Sequence, residues 1–345
     1  MDTRSVPQSE ALSWSHDVAA SVSRTFAITI DLLDDPMSSY VCVGYLLCRI
    51  PDTIEDASHI PGPEKARLLA RYDAALDPDD PTTARSFRDA AVAFEPEAPE
   101  APADWAVVRQ APRVFDAYDS FDAEVRAAMR PPARELVCGM REYADRAPDG
   151  GLRIRSGDDL AEYCYYVAGT VGHLVTNLVA LDVPPTAAAY LRERATSFGA
   201  LLQLVNISKD VHDDYRSEGS VFLPRTWLAD EGVPQDEVLS PTHRAGARAV
   251  VARVIDRARS HREAAGEWLR RLDAERGADT AAWALPYLLA VATLRELDGD
   301  IERTFTDEPV KVSREEVMAL IEACTAENPD LDALRRRVAD GPFHA

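Results

Sequence analysis

The chain has 345 residues, 46% of them hydrophobic and 28% charged, proportions of a globular protein that exclude disorder for most of its length. Its net charge of −21, from 38 basic against 59 acidic residues, leaves no basic stripe to neutralise phosphate backbones and excludes nucleic acid as a partner. The longest apolar runs, 41–48 and 284–294, fall short of the roughly 20 residues that span a bilayer, so no transmembrane anchor is expected.

Residues 1–10 carry acids and no apolar stretch of a secretory signal, which points to the cytoplasm. Only Lys65, Lys209 and Lys311 are lysines; the other basic residues are arginine. Such an acidic, lysine-poor chain suits a salt-adapted proteome, where a Debye length of about 3 Å at 1 M salt mutes self-repulsion. The five cysteines (Cys42, Cys48, Cys138, Cys164, Cys324) show no paired metal-type spacing and read as reduced core residues.

Taken in order, apolar residues at three- and four-residue spacing predict helices over 8–33, 37–57, 63–76, 105–146, 157–180, 186–217, 243–274, 279–304 and 313–324. Alternating β-branched stretches bounded by hairpin turns are missing, so the fold class is all-α. Ser156 marks one helix start, and Ser313 with Glu316 has capping-box spacing at another. The clearest break is the Pro/Glu-rich stretch 95–104, read as an exposed loop. Neither side of it holds all the chemistry below, which predicts one domain over 1–345 with its core at about 14–320.

Tyr45, Arg49, Asp52 and Asp56 are spaced by 4, 3 and 4 residues and share one face of a helix. A lone pair of aspartates four apart would read as a solvated face in so acidic a chain. Here the pair sits beside a tyrosine and an arginine in an otherwise apolar helix. A second stripe follows: Gln203, Asn206, Asp210 and Asp214, spaced by 3, 4 and 4, with Lys209 beside them and Phe198, Leu201, Leu202 and Val205 as apolar neighbours. Two acidic helices, each with a cation, make sense around a shared anion: Mg²⁺ is held by a few carboxylates together with substrate phosphates. Arg49 and Lys209 would then grip diphosphate oxygens.

Four segments, in this order, resemble the squalene/phytoene synthase family of head-to-head isoprenoid synthases: Ser23-Arg24-Thr25-Phe26, residues 45–56, residues 163–172, and residues 203–214 followed by Phe222-Leu223-Pro224. The resemblance covers about residues 14–320. It implies an all-α isoprenoid-synthase fold with a central hydrophobic cavity, Mg²⁺ dependence and allylic diphosphate substrates. Asp52-Thr53-Ile54-Glu55-Asp56, residues 285–294 and the late Val310-Lys311-Val312 look more like the squalene synthase pattern than the phytoene synthase one. That pattern implies two farnesyl diphosphates joined into presqualene diphosphate and then reduced by NADPH to squalene. Phytoene, dehydrosqualene and hydroxysqualene synthases share the aspartate motifs and stand as alternatives, as does a non-catalytic scaffold relative. Release of so apolar a product leaves room for peripheral contact at the inner face of the membrane; the chain is expected to act as a monomer.

By the same resemblance, Asp52, Glu55, Asp56, Asn206, Asp210 and Asp214 match Mg²⁺-binding positions. Ser23, Arg24, Thr25, Tyr45, Arg49, Gln203 and Lys209 match positions that contact diphosphate or the phosphate of NADPH, and Lys311 matches the late NADPH segment. Tyr163 matches a tyrosine that accepts a proton or stabilises a carbocation in the first half-reaction, and an aromatic face does favour a cation. Gly169 and Gly172 are expected to let helices approach closely. Phe26, Phe198 and Phe222 are candidates to line a hydrocarbon tunnel, and His212 is a bystander. Three departures stand out. Lys209 replaces the usual arginine and so loses bidentate grip. Pro51 interrupts the helix just before Asp52. The arginine after Lys311 is displaced by one position, to Arg314.

Overall fold

The coordinates are a computed structural model that describes residues 8–99, 101–147, 151–326 and 329–344; the side chains of Arg24 and Thr25 lie outside the described residues. The chain divides into two compact units, one of Met1–Asp149 with His173–Pro184, the other of Gly150–Gly172 with Pro185–Ala345. Each is all-α. Among the described residues the only β pairing is an isolated parallel bridge between Arg153 and Val221.

The first unit holds α1 (Gln8–Val22), α2 (Arg24–Asp31), α3 (Met37–Asp56), α4 (Gly62–Leu76), α5 (Ala84–Ala91), α6 (Pro102–Arg109), α7 (Ala111–Asp119) and α8 (Ala123–Asp145). Helix α3 lies at its centre, packed by α1, α2, α4, α6, α7 and α8. That environment explains its composition. A helix covered by neighbours over most of its circumference needs a broad apolar surface, and Val41, Cys42, Val43, Leu46, Leu47 and Ile50 are all buried.

The second unit holds α9 (Gly157–Cys164), a π-helical turn at Tyr165–Gly169, and the start of α10 (Thr170–Val179), within which the boundary between the units falls. It continues with α11 (Pro185–Lys209), α12 (Val211–Asp213), a second π turn at Asp214–Glu218, α13 (Arg225–Asp230), α14 (Arg244–Arg276), α15 (Thr280–Gly299), α16 (Arg314–Cys324) and α17 (Leu331–Asp340). Its core is the long pair α11 and α14, closed by α15. Phe198 meets Trp268 at 5.0 Å between ring centres, and Trp268 meets Trp283 edge-on at 6.2 Å. The π turn of Tyr165–Gly169 presses against α11 because two positions lack a side chain: a Cβ on Gly172 would stand 2.3 Å from the Ala195 carbonyl oxygen, and one on Gly199 2.1 Å from that of Ala168. The close approach expected of Gly172 is borne out; Gly199 is its counterpart on α11.

The long predicted helices are subdivided. The 8–33 helix breaks at Ser23, whose backbone is extended and whose side-chain oxygen caps α2 by accepting from the Phe26 amide at 3.3 Å. The 105–146 stretch is three helices, with Pro112 opening α7 and the Ser120–Asp122 turn separating α8. The 186–217 stretch ends as a regular helix at Lys209, because Asp210 leaves helical geometry (φ −105°, ψ 17°). Short helices α5, α13 and α17 fall outside the predicted segments. The caps hold: Ser156 accepts from the Asp159 amide at 3.2 Å, and Ser313 from that of Glu316 at 3.1 Å.

Candidate active site

On α3, the residues from Val41 to Asp56 that are not buried are Tyr45, Arg49, Asp52, Glu55 and Asp56. The predicted polar stripe is therefore the single open face of an otherwise enclosed helix. Phe26 stacks on Tyr45 with ring centres 4.2 Å apart, and the neighbouring Ser23 side chain favours the ionised form of the Tyr45 phenol. Burial is the main reason that phenol is pushed up to about 12. Ser23 thus serves both as the cap of α2 and as a partner of the stripe.

Arg49 organises the acids. It forms an ion pair with Asp52, lies 4.0 Å from Asp56, and donates through Nε to Asp104 at 2.9 Å. Burial alone would lower its affinity for a proton, but Asp52, Asp104 and Asp56 outweigh that and raise it. Asp104 corrects the reading of 95–104 as one exposed loop. It lies in the first turn of α6 and is 8% exposed. A buried carboxylate needs a cation, and Arg49 supplies it. The sequence held one signal for this: Asp104 follows Pro102 in a start-of-helix pattern.

The carboxylates hold their protons more tightly than free acids do. Burial holds Asp52 above the usual range despite Arg49, and burial with the neighbouring Asp52 pushes Glu55 up to about 7 even though Lys65 opposes it. Three backbone carbonyls of this half of α3 are taken by side chains. The Tyr72 hydroxyl donates to Leu47 at 2.8 Å, the Thr53 hydroxyl to Arg49 at 2.9 Å, and the Lys65 ammonium to Glu55.

In the second unit, Lys209 pairs with Asp210, its neighbour at the point where α11 ends. The helix end is fastened by Thr304, 1% exposed, which donates its hydroxyl to the Ser208 carbonyl at 2.6 Å. Asp214 starts the π turn, so Gln203, Asn206, Asp210 and Asp214 do not lie along one continuous helix as the spacing predicted. The break at Asp210 is followed by the single turn of α12 and then the π turn, a geometry frequent at functional sites. Gln203 is half-buried and Asn206 exposed. Burial pushes the Asp214 carboxyl up to about 8, with Glu218 and Asp210 adding to it and Lys209 opposing.

Asp214 also lines a small recess with Ile207, Val211, Phe222 and Leu223. Phe222 stacks on Tyr163, ring centres 5.1 Å apart and planes 29° from parallel, so Tyr163 is joined through one ring to the wall containing Asp214. His212 leans on Asp213 at 3.1 Å. Phe26 packs on Tyr45 of the first cluster and Phe222 on Tyr163 of the second, whereas Phe198 is core. Lys311 is exposed, with Val310 buried beside it.

Among the described residues no three or more His, Cys, Asp or Glu side chains converge into a preformed metal site. The donor chemistry does fit Mg²⁺, a hard ion that takes carboxylate oxygens and completes its shell with water and phosphate. Burial first, and neighbouring carboxylates second, raise the carboxyls of Asp52, Glu55 and Asp214.

A family model described as squalene/phytoene synthase matches residues 19–316. The chain belongs to that family, whose members are isoprenoid prenyltransferases. It is 28% identical over 288 residues to a bifunctional lycopene cyclase/phytoene synthase of Colletotrichum graminicola, covering 81% of this chain and 44% of that one. To the squalene synthase of Bos taurus it is 29% identical over 222 residues, covering 64% and 48%. The chain thus spans about half the length of these curated relatives. The solved structure of TcSQS with the ligand BPH1237 shares its fold at a TM-score of 0.80, with 24% identity over 95% of this chain and 90% of that one. No helix among the described residues is long and apolar enough to cross a membrane.

Proposed function

We propose that the protein is a squalene synthase, joining two farnesyl diphosphates into presqualene diphosphate and reducing that intermediate with NADPH to squalene. The observation that carries the reading is the face of α3 on which, between Val41 and Asp56, only Tyr45, Arg49, Asp52, Glu55 and Asp56 are half-buried rather than fully buried. The same family membership also supports the phytoene, dehydrosqualene and hydroxysqualene alternatives, and the product decides among them.

Asp52, Glu55 and Asp56 would hold magnesium in one cluster, and Asn206, Asp210 and Asp214 in the other. When bound, the metal neutralises charge on the departing diphosphate. Arg49 and Lys209 bind phosphate oxygens, the arginine steadied by Asp104. Ser23 and Tyr45 position the same group, as do Gln203 and, through the resemblance, Arg24 and Thr25. Tyr163, backed by Phe222, accepts the proton lost on closing the cyclopropane or steadies the preceding cation with its ring. The reductive half rests on Lys311 and the resemblance alone. The proposal includes a single domain over 1–345, a monomer, a cytoplasmic place and peripheral contact with the inner membrane face.

The test is incubation with Mg²⁺ and either farnesyl or geranylgeranyl diphosphate, with and without NADPH, followed by product analysis. Presqualene diphosphate accumulating without NADPH and squalene appearing with it is the expected result. Phytoene from the longer substrate, or dehydrosqualene or hydroxysqualene from the shorter, would replace it.

A further inference from the structure

Proline at position 51 removes the amide that would donate to the carbonyl four residues back, and its ring crowds that carbonyl. The carbonyl belongs to Leu47, and the Tyr72 hydroxyl of α4 donates to it at 2.8 Å. Leu47 is 1% exposed and Tyr72 0%, so water has no route to fill the vacancy. Tyr72 is itself fixed by edge-on contacts with Phe87 at 4.9 Å and Phe115 at 5.7 Å. The Thr53 hydroxyl occupies a second carbonyl two residues further on, that of Arg49. Helix α3 continues through Pro51, and the next residue is Asp52.

We propose that Tyr72 is a positioning residue: its hydroxyl replaces the backbone donor lost at Pro51 and so sets the direction in which Asp52 leaves α3. It touches neither substrate nor metal. A core tyrosine serving only to fill space would need no bond to that one carbonyl. Tyr118 provides the comparison, being 3% exposed with its hydroxyl on the Arg126 carbonyl of α8 at 3.0 Å rather than on a carbonyl of α3.

The proposal rests on the reading that the α3 carboxylates hold metal-bound diphosphate, and its test uses no prenyl substrate. Tyr72→Phe is made in the natural chain and in Pro51→Ala, which returns an amide to Leu47, with Tyr118→Phe as control. Each full-length protein is unfolded in urea and titrated with Mn²⁺ in the presence of inorganic diphosphate, bound Mn²⁺ being read by electron paramagnetic resonance. In the natural background Tyr72→Phe should raise the unfolding constant about tenfold, the effect of a buried acceptor left unpaired. In Pro51→Ala the increase should shrink to about twofold. Tyr72→Phe should also raise the Mn²⁺ midpoint several-fold, while Tyr118→Phe lowers stability and leaves the midpoint unchanged. Equal losses in both backgrounds, or an unchanged Mn²⁺ midpoint in Tyr72→Phe, would overturn the proposal. A product other than squalene overturns the functional reading and leaves this coupling standing.

Discussion

Arg49 and Asp104 are 55 positions apart in the chain and meet at 2.9 Å, Nε to carboxylate, with the arginine's Nη1 turned to both Asp52 and Asp56. Asp104 thereby orients the guanidinium on the open face of α3. Asp104→Ala should cost about 1.5–3 kcal/mol, the range for a hydrogen bond to a charged group, measured by urea denaturation. Asp104→Asn, which keeps an acceptor for Nε, should lose less.

The acids predict how stability changes with pH in metal-free protein. Asp214 is raised from 3.8 to about 8 and Glu55 from 4.5 to about 7, so the folded state keeps protons that the unfolded chain has given up. Their contribution is fully present below pH 3.8 and is lost as pH rises towards 8. The melting temperature should therefore fall between about pH 5 and pH 8, and Asp214→Asn should flatten that fall. Mg²⁺ with inorganic diphosphate should restore stability in the natural chain at pH 8 by binding the folded state. A profile unchanged by Asp214→Asn counts against the assignment.

Turnover should depend on both clusters. Asp52→Asn and Asp210→Asn are each expected to lower kcat by about 10²–10³, the scale of losing one charge-stabilising group, with little change in melting temperature. Single-turnover measurements of diphosphate release check this directly.

The approach of the Tyr165–Gly169 turn to α11 leaves no room for a methyl group. Gly172→Ala and Gly199→Ala place a Cβ within 2.3 and 2.1 Å of backbone oxygens, so each should destabilise by at least about 1–3 kcal/mol. Gly299→Ala, with nothing within 4 Å, should be close to neutral. Thermal unfolding of the three variants separates the cases.

A buried latch ties down the C-terminal segment of the second unit. Arg295 donates to Glu316, which is 2% exposed, and to the carbonyls of Val338 and Gly341, while Glu316 also accepts from the Phe343 amide. Burial would raise the Glu316 carboxyl, but the Arg295 and Phe343 bonds win and hold it below 4.5. Arg295→Met should cost about 3–5 kcal/mol by leaving that charge unpaired, and should expose α17 to limited proteolysis. Because the carboxyl is lowered, its stabilisation is present above pH 4.5 and disappears as pH falls below that value.

Local rules carried much of the sequence reading. The period of apolar residues located α3, α11 and α14, and hydroxyl caps placed the starts of α9 and α16. The stripe on α3 emerged intact because four of its members are fixed by helical spacing alone. What stayed hidden depends on partners distant in sequence. Glu316 has the spacing of a capping box, yet its carboxylate goes to Arg295 and Phe343. Asp104 looked like part of an acidic loop until Arg49 met it. Pro51 stood out as a departure, but its remedy lies on Tyr72, in the following helix. The end of α11 at Asp210 has no local marker either: no glycine or proline occupies 205–213, and Thr304 comes from almost a hundred positions away.

The scarcity of ammonium groups gives this protein a built-in pair of probes. Lys65 rests on the Glu55 carbonyl and Lys209 on Asp210, leaving Lys311 as the sole ordinary surface amine side chain. Reductive methylation with isotope-enriched formaldehyde would yield a spectrum of very few resonances, two of them rooted beside the aspartates. Occupancy of each cluster could then be followed separately in one sample, without a chromophore and without altering a single codon.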